Sequence, residues 1–157
     1  LDREGEPKYA IDCDPGPSAD PTFTISSEKS GERIGSIGAD ALTVPGNGFI
    51  YSTGRTNNLH QERQKFAIRD GKLVEIEQPF SYVGLDTKAN VPLTLTAGKS
   101  TGEVIAKVSK GGEVTVVLRD GDHLLIKTPF GLIGWWKMNT EVMADNAEIE
   151  GIYYAGD

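Results

Sequence analysis

The amino-acid sequence predicts an all-β protein built from two small antiparallel β domains, and three observations carry that prediction. The 157 residues include 19 Gly and 8 Pro, a density of turn formers that interrupts the chain too often for long helices. Between the interruptions lie runs of about four to eight residues that alternate polar and apolar, the period of a half-buried strand. Neither half carries a convincing amphipathic helical stripe.

Composition excludes several classes of function. The net charge is −7, and Arg63, Lys65, Arg69, Lys72, Lys107, Lys110, Arg119 and Lys127 are spread among acidic neighbours. Phosphate recognition needs a concentrated Lys/Arg surface, so no nucleic-acid partner is expected. Cys13 is the single cysteine, which rules out an intrachain disulfide and a cysteine-rich zinc site. No run of about 18 apolar residues is present, so no transmembrane segment is expected. The chain begins at Leu1 and carries no signal segment at its start. That is compatible with an exported protein whose signal has been removed, and equally with a trimmed boundary.

Residues 1–21 contain four prolines and one apolar cluster, Tyr9-Ala10-Ile11, and are expected to form a flexible segment or one edge strand. Asp12, Asp14 and Asp20 lack the Asp-x-Asp-x-Asp-Gly spacing and terminal Glu of a calcium loop, and Pro15 and Pro17 interrupt them, so no metal site is expected. Residues 22–88 form the first domain. Thr22-Phe23-Thr24-Ile25-Ser26 alternates as a strand, and shorter candidates follow at 33–38 and 40–44. Pro45-Gly46-Asn47-Gly48 is a turn leading into a strand at 49–52. Gly46-Asn47-Gly48 lacks the third glycine and the following helix of a dinucleotide cradle, so no cofactor is expected.

Residues 64–77 read as a hairpin. A three-residue loop, Arg69-Asp70-Gly71, places Phe66, Ile68, Val74 and Ile76 on one face, whereas a two-residue loop pairs Phe66 with Glu75; the three-residue register is therefore expected. After Gln78-Pro79 comes a strand at 80–85, and the polar run Asp86-Thr87-Lys88-Ala89-Asn90 marks the junction with a second domain at 91–139. There Glu113 to Leu118, the loop Arg119-Asp120-Gly121, and Asp122 to Lys127 form a second hairpin, with Val114, Val116, Leu118, Leu124 and Ile126 expected on one face. Residues 140–157 carry Ile149, Ile152, Tyr153 and Tyr154, too apolar for a free tail, and are expected to fold back over an edge or the domain junction.

Five motifs in order carry a resemblance: Leu93-Thr94-Leu95 with Ala97-Gly98-Lys99-Ser100; Gly102-Glu103-Val104-Ile105-Ala106-Lys107-Val108; Lys110-Gly111-Gly112-Glu113-Val114-Thr115-Val116; Asp120-Gly121-Asp122; and Gly131-Leu132-Ile133-Gly134-Trp135. Together they resemble the bacterial SH3 family over under a third of the chain. The resemblance implies a five-stranded SH3-like barrel, found mostly in exported bacterial envelope proteins and often appended to cell-wall hydrolases. Some members bind peptidoglycan or peptides, and others serve as packing modules. It further implies an exported location: periplasmic, outer-surface or extracellular. His123 stands where the family often has an aromatic residue, and the family's Asn-Val-Arg pattern is replaced by Leu95-Thr96-Ala97.

Trp135 and Trp136 in one strand point to opposite faces, so one is expected in the core and the other partly exposed. The exposed Trp, with Phe130, His123 and the loop at 98–101, would make an aromatic platform for a sugar or peptide; in the other reading both tryptophans pack. Catalysis is not expected. Cys13 precedes prolines instead of opening a helix, His60 and His123 fall in different domains, and Glu75 and Glu77 share a solvated strand face. The sequence thus points to a non-catalytic exported envelope protein acting as a binding or structural module. Its expected partner is peptidoglycan or an envelope protein or peptide; the alternatives are glycan or peptide recognition by the SH3-like half, or an inhibitor or accessory role beside an envelope enzyme.

Overall fold

A computed structural model describes residues 8–17, 19–55, 58–99 and 101–155, and among them lie thirteen strands and no helix. The all-β class is therefore the one the chain adopts. Two units divide it: Leu1–Thr56 with Glu62–Gln78, and Asn57–Gln61 with Pro79–Asp157.

In the first unit β1 (Tyr9–Asp14), β2 (Thr22–Ser27) and β3 (Arg33–Gly38) form a three-stranded antiparallel sheet, with β1 at an edge. A four-stranded sheet follows in chain order: β4 (Ala41–Thr43), β5 (Ile50–Gly54), β6 (Glu62–Arg69) and β7 (Lys72–Glu75). One apolar cluster takes Ile25 and Ile37 from the first sheet and Ile50 and Phe66 from the second, so both sheets pack over a shared core.

The β6–β7 hairpin differs from the expected register. Phe66 lies opposite Glu75 and Ile68 opposite Leu73, closing on the two residues Asp70 and Gly71. Both hold positive φ, 50° and 72°, the type I′ geometry whose twist matches that of paired strands. Val74 is consequently turned away from Phe66, and Leu73 packs on the core in its place. The carboxylate brought opposite Phe66 stays at a polar margin: Gln64 Nε2 donates to Glu75 Oε1 at 3.1 Å, and Ser52 Oγ donates to Gln64 Oε1 at 3.4 Å. Turn chemistry outweighed the mismatch because the mismatch could be satisfied by hydrogen bonds.

The second unit is organised by one six-stranded antiparallel sheet. Its strands are β8 (Ser81–Lys88), β9 (Leu93–Thr96), β10 (Val104–Val108), β11 (Glu113–Asp120), β12 (His123–Lys127) and β13 (Ile133–Lys137), in the order β10-β9-β13-β12-β11-β8. The boundary between the units lies before β8, ahead of the expected junction at 86–90, because β8 pairs with β11 and Val83 enters the second core. The sheet has β10 and β8 as its edges and is not closed, in contrast to the five-stranded closed form expected.

Leu93, Leu95, Val114, Val116, Leu124 and Ile126 line one face of this sheet, and Met138, Ile149 and Ile152 from the C-terminal segment complete the core. That segment covers the far end of edge strand β8. Ala89 bridges to Ile149, and Glu150 N–H donates to Lys88 O at 3.0 Å.

A bulge in β11 changes the expected face. Val116 is opposite Ile126, but Leu118 is opposite Leu125, with the register shifting between them. An extra residue in one strand reverses the side-chain alternation beyond it. Leu118 therefore leaves the face of Val114 and Val116, correcting the expectation that it shares their core side. The turn is also shorter than expected: Asp120 pairs with His123 around Gly121 and Asp122, with Gly121 at φ 63°.

Candidate functional site

The surface of the second sheet that faces away from its core is fixed by cross-strand pairing. Val104 of β10 is opposite Thr96 of β9, Thr96 opposite Trp135 of β13, Trp135 opposite Leu125 of β12, Leu125 opposite Leu118 of β11, and Leu118 opposite Tyr82 of β8. Directly opposed residues project to the same side of a sheet. One residue from each of six strands thus forms a single transverse row, apolar except for Thr96. Val104 and Tyr82 at its ends are 53% and 56% exposed, and the four between them are half-buried. At strand spacings of roughly 4.8 Å the row spans about 24 Å.

A charged row borders it. Asp120, His123 and Lys137 are mutually opposed on β11, β12 and β13. Asp122, in the turn, joins two of them: His123 Nδ1 lies 2.6 Å from Asp122 Oδ1, and Lys137 Nζ lies 3.1 Å from Asp122 Oδ2. Lys99 pairs with the Asp120 carboxylate and places its Nζ 5.2 Å from the centre of the Trp135 ring, a cation–π geometry. Trp135 therefore carries an ionic cap instead of a bare face.

The Lys137 hydrogen bond holds the Asp122 carboxyl below its ordinary value of 3.8, and the charges of Lys137 and His123 pull the same way against partial desolvation. A carboxyl depressed in the folded state contributes stability above its unfolded value and loses it as pH falls through the lower folded value. Asp122→Asn is accordingly expected to be less stable than the natural chain at neutral pH, with the two converging as pH drops below 3.8. Urea unfolding across an acid series checks this; a gap that persists unchanged at low pH would count against it.

Of the four residues expected from sequence, the fold does not make one platform. Trp136 lies opposite Leu124 on the core face and packs against the core cluster, while Trp135 takes the other face. His123 shares the face of Trp135 but is only 8% exposed and is engaged by Asp122. Phe130 is 90% exposed in the β12–β13 turn, beyond the Lys127–Ile133 pair, whereas His123 pairs with Lys137 at the opposite end of the same hairpin. Four residues of strand separate the two ends, about 13 Å. Ser100, part of the expected loop at 98–101, lies outside the described residues. Leu118, Tyr82 and Val104 were missed because the bulges that bring them into the row leave no mark in the alternation of the sequence, and Leu125 because its partnership with Trp135 is set by the β12–β13 pairing.

Cys13 is exposed on β1 of the first unit, while the buried His60 belongs with His123 to the second, correcting the expectation that the two histidines fall in different domains, because residues 57–61 cluster with the second unit. Among the described residues no group of three His, Cys, Asp or Glu side chains is placed to hold a metal ion, and no helix is long and apolar enough to cross a membrane. Comparison with protein-family models, curated proteins and solved structures finds no match to this chain.

Proposed function

We propose that the protein is a non-catalytic interaction module of the bacterial cell envelope, acting outside the cytoplasm, and that it recognises a cell-wall glycan or peptide through the outer face of its second sheet. The observation that carries this reading is the transverse row centred on Trp135. An aromatic side chain within a broad apolar row, bordered by charges already balanced within the chain, suits an uncharged amphipathic ligand better than a polyanion. The envelope setting rests on the resemblance of the five ordered motifs to the bacterial SH3 family. Strands β9 to β13 follow those motifs in sequence, and β8 adds a sixth strand beside β11. In this reading residues 91–139 are an SH3-like unit opened at one edge.

The face assignment decides which tryptophan the experiment must change. Removing Trp136 perturbs the core, so loss of binding in that variant would report folding. Trp135→Ala leaves the core face intact. In a pull-down on purified peptidoglycan at low salt, the natural chain is expected to be retained and Trp135→Ala to lose at least about tenfold in affinity, the scale of one aromatic anchor. Absence of retention for the natural chain would end the recognition reading and leave a structural role; equal retention of both chains would move the site off this row.

A further inference from the structure

The most exposed apolar side chain in the second unit sits at a hairpin tip that the row does not include. In the turn between β12 and β13 Phe130 is 90% exposed, and Leu132 and Ile133 keep 47% and 49%. Thr128 braces the turn. Its backbone N–H donates to Leu132 O at 2.8 Å, its carbonyl accepts from Gly131 N–H at 3.0 Å, and its hydroxyl accepts from Leu132 N–H at 3.1 Å. Gly131 supplies the positive φ, 83°. A bulky side chain presented by a braced turn loses little conformational freedom on binding, and contiguous exposed apolar groups mark an interaction site.

Beside this tip lies an open groove of about 770 Å³, within the range that accommodates a sizeable ligand. Leu85, Val114 and Pro129 give it apolar lining, and Pro129 belongs to the same turn as Phe130. Lys88, Lys127, Glu113 and Glu150 give it both signs of charge. A third carboxylate, Asp86, is engaged by the Thr115 hydroxyl at 2.6 Å.

We propose that the second unit self-associates as a two-fold dimer in which Phe130 of each copy enters the groove of the other. Two features select a second copy as the occupant. Anchor and groove share one turn, so a two-fold axis beside that turn seats both anchors at once, the condition for a closed isologous interface. The lining mixes lysines and glutamates; Lys88 lies opposite Glu113 within each chain, and in the proposed dimer the axis places Lys88 and Lys127 of one copy by Glu113 and Glu150 of the other, extending that alternation of charge across the interface. A lipid surface fits less well. The chain carries a net charge of −7, and Lys127 is the sole cation in residues 127–133, whereas anionic leaflets are held by clustered cations.

Sedimentation velocity of the full chain, from micromolar to millimolar concentration, is expected to show a monomer–dimer equilibrium. Phe130→Ser should weaken it by at least about tenfold while leaving the far-UV circular dichroism unchanged, since the ring is exposed in the monomer. A chain with Lys88→Glu and Lys127→Glu, and a chain with Glu113→Lys and Glu150→Lys, should each remain monomeric alone and dimerise when mixed. The proposal is overturned by a natural chain that stays monomeric throughout, by Phe130→Ser dimerising as tightly as the natural chain, or by folded charge-swapped chains that associate no better mixed than apart. Phe130-dependent flotation of a monomer with phosphatidylcholine vesicles would likewise overturn it and give the tip to a membrane.

Discussion

Trp136→Ala is expected to lower the unfolding free energy of the second unit by about 3 kcal/mol, toward the low end for large aromatic truncations because the ring is not fully buried. The residue sits in β13, between β12 and β9, opposite the fully buried Leu124 and packed on the cluster that includes Leu95, Val116 and Ile126. Truncation leaves a cavity in the middle of the sheet, where the neighbouring strands are held by their own hydrogen bonds and collapse only partly. Trp135→Ala, by contrast, is expected to cost about 1 kcal/mol, the loss of half-buried apolar area and of the Lys99 contact. Both tryptophans lie in the second unit, so in each variant the remaining one reports that unit's urea transition by fluorescence, without requiring the whole chain to unfold in one step. A larger loss for Trp135→Ala than for Trp136→Ala would mean that the faces of β13 are assigned the wrong way round, and equal losses would mean that the two rings are buried alike.

The alternation of Trp135 and Trp136 was legible because period two survives any change of neighbour. The runs at 22–26, 113–118 and 123–127 were legible for the same reason, and all became strands. Where the sequence reading failed, one residue of register was at stake. The bulge at Val117 moved Leu118 across the sheet, and the Asp70-Gly71 turn moved Val74. Each exchange trades packing energy against local backbone preference, and both alternatives keep the same apolar pattern within each strand. Strand partnership was equally hidden. Residues 80–85 alternate acceptably for either unit, and only pairing with β11 assigns them to the second. The candidate row depends on these long-range choices, so of its six members Trp135 alone was anticipated.

Gly54→Ala is expected to destabilise the first unit by about 2 kcal/mol, a fall in that unit's melting temperature of roughly 8–16 °C for a unit of this size. Gly54 ends β5 opposite Glu62 of β6, and its φ is not in the left-handed region, so conformational freedom is not what the position requires. Space is. A Cβ there would stand 2.5 Å from the Asp40 nitrogen and 2.8 Å from the Ala39 Cα. Both atoms are backbone, and Ala39 is only 1% exposed within the core that joins the two sheets. No side-chain rotation relieves that overlap; the link between β3 and β4 has to move, carrying Ile37 and Leu42 with it. Gly71→Ala provides the contrast. Nothing lies near its Cβ position, and its φ of 72° makes backbone strain the whole cost, about 1 kcal/mol. Thermal unfolding followed by far-UV circular dichroism should therefore rank Gly54→Ala below Gly71→Ala, and amide exchange should quicken at Ala39–Leu42 in the former alone. The reverse ranking would mean that the β3–β4 link gives way easily, and that the close approach at Gly54 does not hold the two sheets in place.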